Sequence, residues 1–253
     1  MSVEAAVARS LDYRLSPLPV RGDLIAAQKR AWARLGQPGE WWSGAVRIAI
    51  AEETRAAEAC GFCRERKAAL SPYAVTGAHE TATDLPEVLV ETVHRIRTDP
   101  GRLTRRFYEE ALAGGLSDAE YVETVGVMAT VIAIDSFCDA MGLPRHSLPA
   151  PLAGEPRRRR PPGAKEGLAW VPTVAPEDLT EAEAGMYDGL SAVNIHRALS
   201  LVPAEVIGFF DMDSVHYLPD GQLRDYGTEY RALTHAQTEF LAGRVSVINQ
   251  CVY

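Results

Sequence analysis

The sequence predicts an all-α protein. Apolar residues recur at helical spacing, and helix-opening pairs stand at Ser117–Glu120, Thr180–Glu183 and Thr234–Gln237. No alternating run long enough to make a strand interrupts them.

The elements follow in order. Asp23 caps a helix from Leu24 to about Leu35, stopped by Gly36 and Pro38. Glu40–Ala59 is next, offering Trp41, Val46, Ile48, Ala49 and Ile50 to a core. A third helix begins near Cys60 and runs toward Leu70, where Pro72 ends it. Leu85–Thr98 carries Pro86 in its first turn and closes at Asp99-Pro100-Gly101. Leu103–Ala113 ends at Gly114-Gly115, and a long apolar helix runs from Asp118 to Met141. Beyond residue 176, Leu201–Phe210 and the stretch from Thr234 read as helices.

Composition bounds the function. The 253 residues are 47% hydrophobic and 24% charged, ordinary for a soluble globular protein in the cytoplasm. A net charge of −8 argues against a general nucleic-acid binder. The longest apolar run, Val125–Ile134, falls short of the roughly 18 residues of a membrane span. The N-terminal MSVEAAVARSLDYR has no apolar signal region. Four cysteines, two of them as Cys60-Gly-Phe-Cys63, point to thiol chemistry in a reducing compartment.

Eight of the sixteen prolines fall between Pro144 and Pro176, around the run Arg157–Arg160. Four arginines without interleaved aromatics read as a solvated linker. The expected organisation is a helical domain over 20–150, a linker over 151–176 and a shorter second unit over 177–253.

Cys60 and Cys63 open a helix, with their sulfurs within disulfide reach. The first turn's free N–H groups, with Arg64, Arg66 and Lys67 nearby, favour the thiolate. The residues leave several readings open: a redox pair, a structural relic, a partner-docking dithiol or part of a metal site. No metal site is expected, because zinc needs four ligands and neither a second C-x-x-C nor an H-x-x-x-H accompanies the pair. His79 is a loop histidine without a motif, and core or surface roles are expected for His94, His196 and His216. Cys138 reads as a small core residue.

In the tail, eleven residues separate Glu239 from Cys251 on an apolar helix carrying Phe240, Leu241, Val245, Val247 and Ile248. This stretch resembles the alkylhydroperoxidase D-like (carboxymuconolactone decarboxylase-type) family, whose signature is Glu, eleven residues, Cys-x-x-Cys, three residues, His. The stretch GLSDAEYVETVGVMATVIAIDSFCDAMGLP is likewise similar to that family's closing helix. The resemblance implies a helical bundle and a peroxidase-type oxidoreductase reducing hydroperoxides, in an antioxidant role. In each pair the second cysteine attacks the peroxide and the first resolves it. It implies a thiol or lipoyl-type protein reductant, homo-oligomerisation, and no cofactor, nucleic acid or membrane.

The site residues expected from it are Cys60, Cys63, Cys251 and Glu239. Positions 254 and 258, where the motif's second cysteine and histidine fall, lie beyond Tyr253. A selenoprotein read only to its selenocysteine codon is therefore expected. At the first pair the family's glutamate and histidine positions hold Ile48 and Lys67, which cannot relay a proton. Glu52 and Glu53 stand too far along a continuous helix to touch Cys60 directly. The alternative function is a catalytically degenerate member acting as a structural or interaction subunit. A lactone decarboxylase is disfavoured, because that chemistry does not require a C-x-x-C pair.

Overall fold

In a computed structural model, residues 11–167, 169–249 and 251 are described. The N-terminal reading falls partly on residues 1–10, and Val252 and Tyr253 of the tail motif likewise lie outside the described residues.

The described residues contain ten α-helices: α1 Gly22–Leu35, α2 Gly44–Ala56, α3 Gly61–Ala68, α4 Glu87–Thr98, α5 Arg105–Ala113, α6 Asp118–Ala140, α7 Asn194–Arg197, α8 Pro203–His216, α9 Asp220–Leu223 and α10 His235–Ile248. The only strand-like pairing among them is an isolated antiparallel bridge between Lys165 and Thr173. The all-α expectation holds.

Three of the ten helices open on a side-chain cap. Ser43, not Glu40, opens α2 by accepting from the Val46 N–H, and Glu40 is buried ahead of it. Ser117 with Glu120, and Thr234 with Gln237, form the reciprocal capping boxes that the sequence predicts. Thr180 and Glu183 also pair reciprocally, but around a single 3-10 turn, Glu181–Glu183, because Ala184 leaves the helical region at once.

α6 is the axial core helix, with Ala119, Val122, Val127, Met128, Val131, Ile134 and Cys138 all buried. By length and composition alone it could cross a membrane; here 67% of its apolar window is buried inside the protein. Its neighbours are α1, α2, α4 and α8.

The expected boundary at 151–176 does not divide the core. Val174, Met186, Leu201, Val202, Val206 and Phe210 join the same hydrophobic cluster as Trp32, Ile50, Leu89 and Met128. The Pro/Arg-rich stretch lies along the first helices: Leu152 N–H donates to the Gly36 carbonyl, and Arg160 pairs with Asp118 at 2.6 Å.

Buried charges make the closure specific. Arg47 of α2 reaches Glu123 of α6 at 2.6 Å and Glu205 of α8 at 2.8 Å, all three side chains nearly sealed from solvent. Arg34 of α1 meets the other oxygen of Glu205 at 2.6 Å. α8 comes this close to α6 because residue 126 is glycine; a Cβ there would lie 2.6 Å from Glu205 Oε2. Burial alone would raise Glu205, but Arg34 and Arg47 outweigh it and hold the carboxyl at about 2. Glu123 moves the other way, raised by burial and by the neighbouring Glu205 charge against the pull of Arg47.

Not all of the chain packs so well. Phe240, Leu241, Val245, Val247 and Ile248 of α10 are all exposed, so the apolar residues read from the sequence lie on a helix but are not buried among the described residues.

Arg47→Met is expected to destabilise the protein by about 3–5 kcal/mol, because two buried carboxylates lose their shared partner; urea unfolding measures it. Glu205 contributes stability above its ordinary 4.5 that is lost as pH falls toward 2. A Glu205→Gln chain should therefore lose less stability between those pH values than the parent, and an unchanged slope would contradict the assignment.

Candidate functional site

The C-x-x-C pair sits where α2 gives way to α3. α2 ends at Ala56, a 3-10 turn covers Ala57–Ala59, and Cys60 is extended at φ −61°, ψ 121°. The helix is therefore not continuous from Glu53 to Cys60. The redirected chain places Cys60 just ahead of α3 and Cys63 in its first turn, both buried.

Two histidines converge on the sulfurs. His94 Nδ1 lies 3.2 Å from Cys63 Sγ. His79 Nδ1 lies 3.4 Å from Cys63 Sγ and 3.7 Å from Cys60 Sγ. Each ring is held by a carboxylate on its far nitrogen: His94 Nε2 meets Glu53 Oε1 at 2.8 Å, and His79 Nε2 meets Glu91 Oε2 at 2.7 Å. Glu53 Oε2 accepts from the Ala82 N–H at 3.2 Å and the Thr83 hydroxyl at 2.6 Å. Arg66 of α3 contacts both oxygens of Glu91 and lies over the Phe62 ring. Four segments thus meet at one point: α2, the head of α3, the loop carrying His79, and α4.

Charge is distributed unequally among these groups. Burial works against a charged His79, yet hydrogen bonds to Cys63, Glu91 and Cys60 outweigh it and push it up to about 10. Burial likewise opposes ionisation of Glu91, but His79 and Arg66 hold it at about 2. Burial would raise Cys60; the backbone amides of Cys63 and Glu80, with His79, bring it below the ordinary thiol value. His94 moves down, because burial and the nearby His79 charge exceed the help from Glu53. At neutral pH His79 is therefore imidazolium, while His94 is a neutral imidazole whose Nδ1 lone pair faces Cys63.

Two recesses flank the cluster. One of about 260 Å³ is lined by Cys60, Cys63, Arg64, Lys67 and Arg97. A larger one of about 780 Å³ opens beside His79, against Phe62, Leu85, Val88 and Glu91.

Of the residues expected at the site, Cys60 and Cys63 are together in it. Glu239 and Cys251 take no part in the cluster: Glu239 accepts from the Tyr217 hydroxyl at 2.5 Å, and Cys251 is exposed. His94 is buried, but as a partner of Cys63 rather than as a core filler, which corrects the role expected for it. Cys138 is the buried core residue expected. The further donor atoms beside the C-x-x-C come from elsewhere in the chain: His79 and His94 stand there without any second local motif. One signal was present: Glu91 and His94 stand three apart in α4, so that they share a face. His79 has no such local mark, since a loop brings it in.

Comparisons of the chain with protein-family models, curated proteins and solved structures find no match. In reduced, metal-free protein at pH 7, long-range ¹⁵N–¹H NMR is expected to show His94 neutral with its proton on Nε2. An imidazolium signal for His94 there would contradict the charge distribution.

Proposed function

We propose that this chain is a thiol oxidoreductase of the peroxidase type, reducing hydroperoxides through the Cys60–Cys63 couple. The observation that carries the reading is the line Glu53–His94–Cys63, with contacts of 2.8 and 3.2 Å. A nucleophile, a base and a group orienting the base stand within hydrogen-bond reach, the arrangement that activates a thiol. This geometry also answers the objection that the family's relay positions hold Ile48 and Lys67: a glutamate and a histidine reach the thiol from other points in the chain.

The chemistry follows from the placement. His94 Nδ1 takes the Cys63 proton, and the thiolate attacks the outer peroxide oxygen. The O–O bond breaks, Cys63 becomes a sulfenic acid, and the leaving oxygen takes a proton and departs as the alcohol. Cys60, whose thiol is depressed, then attacks the Cys63 sulfur. The S–S bond forms, and the S–O bond breaks to release water. His79 touches both sulfurs and is positioned to steady the thiolates and pass protons in both steps. A dithiol reductant of lipoyl or thioredoxin-like type reopens the disulfide by exchange. The 260 Å³ recess on the sulfurs, with its arginines and lysine, admits a small hydroperoxide.

A non-catalytic interaction subunit is the second reading, and the exposed apolar side of α10 favours it. Peroxide treatment separates the two. Mass spectrometry should show loss of two hydrogens confined to the peptide bearing Cys60 and Cys63, reversed by a dithiol. Glu53→Gln should slow this oxidation about 10²-fold, the usual scale of a positioned base, and Cys63→Ser should abolish it. Thiols that remain alkylatable after peroxide would sink the peroxidase reading.

A further inference from the structure

We propose that Cys60, Cys63, His79 and His94 together bind one Zn²⁺ ion in the reduced protein. Their two Sγ and two Nδ1 atoms all lie within 4.8 Å of one another. Tetrahedral zinc, with Zn–S of about 2.3 Å and Zn–N of about 2.0–2.1 Å, sets sulfur and nitrogen about 3.6 Å apart. Three of the four sulfur–nitrogen separations here are 3.2, 3.4 and 3.7 Å, and the fourth, from Cys60 to His94, is within 4.8 Å. One cation can therefore reach all four atoms with little rearrangement.

The surroundings point the same way. Both histidines turn Nδ1 inward, and both anchor Nε2 on a carboxylate, Glu53 or Glu91. That outer contact fixes a ligating imidazole's tautomer and strengthens it as a donor. A relay to one thiol needs one such histidine, whereas a tetrahedral ion needs both: His79 has its own carboxylate and touches both sulfurs. Thiolate and imidazole donors suit zinc and disfavour magnesium or calcium. Two thiolates also balance the charge of Zn²⁺, so binding releases the thiol protons and the proton on His79 Nδ1. Four protein ligands leave no open position, the arrangement of a structural rather than a catalytic zinc.

The fold supplies a reason for such a clasp. Cys60, Phe62 and Cys63 form a small buried cluster at α3, packed with Val75 and separate from the main core. A cluster this small holds an eight-residue helix weakly. Zinc would tie the start of α3 to the His79 loop and to α4.

Metal binding does not rest on the peroxidase reading, but the two states compete for the same sulfur lone pairs. Two zinc-bound thiolates and one hydroperoxide give the disulfide, free Zn²⁺, an alkoxide and a hydroxide, which take up two protons to become alcohol and water. If both readings hold, hydroperoxide expels the metal.

The test uses the full chain, reduced, stripped with a chelator and titrated with zinc chloride or cobalt chloride. One equivalent of zinc per chain by elemental analysis is expected. Cobalt should give intense tetrahedral visible bands and a thiolate charge-transfer band in the near ultraviolet. Glu91→Gln, which keeps all four donors, should weaken binding about 10–100-fold. His79→Gln and Cys60→Ser should lose the tetrahedral spectrum, with circular dichroism reporting that the helices persist. Binding well below one equivalent, an octahedral cobalt spectrum, or affinity unchanged in a His79→Gln/His94→Gln chain would overturn the zinc site. Stoichiometric zinc that hydroperoxide does not release supports the site and sinks the peroxidase reading. Disulfide formation in a chain that binds no zinc does the reverse.

Discussion

The structure turns on Arg47. It is a guanidinium buried between Glu123 and Glu205, with Arg34 closing the set. An ion pair sealed from water contributes little net stability relative to an apolar replacement, yet an unmatched charge there is costly. Only an arrangement that brings all four groups together avoids that cost. α1, α2, α6 and α8 are thereby held in one relation, and the chain beyond the proline-rich stretch is drawn into the core of the first helices.

That constraint reaches the candidate site through α2. Arg47 and Glu53 are six residues apart, about 240° around the helix at 3.6 residues per turn. Fixing Arg47 toward α6 and α8 therefore turns Glu53 toward α4. There it meets His94, and the backbone break after Ala56 lets Cys63 swing back onto the same histidine. A carboxylate so deeply buried would be costly alone; the Ala82 N–H, the Thr83 hydroxyl and His94 occupy its oxygens.

The two proposals draw on the same lone pairs, because thiol redox chemistry and zinc binding each need deprotonated, buried sulfur beside oriented imidazole. Depressing a thiol makes it a better nucleophile and a better ligand at once. His79 adds positive charge near the sulfurs when protonated, and a donor nitrogen when not.

Much of the architecture was legible in the chain itself. Capping pairs at Ser117 and Thr234, prolines at helix starts and the long apolar run after Asp118 are local signals, and each gave an element within a few residues of the observed one. The C-x-x-C was equally plain, since its meaning lies in four consecutive residues. What the sequence could not show was company. The fully buried Arg47 reads as a surface residue until Glu123 and Glu205 arrive from 76 and 158 residues away. His79, His94 and Glu53 are spread over 41 residues, with only the Glu91–His94 spacing to hint at a shared face. Local propensity and capping are decided by neighbours along the chain and so are written there. Buried charges and convergent donors are decided by which distant atoms desolvate together, and only the packed helices determine that.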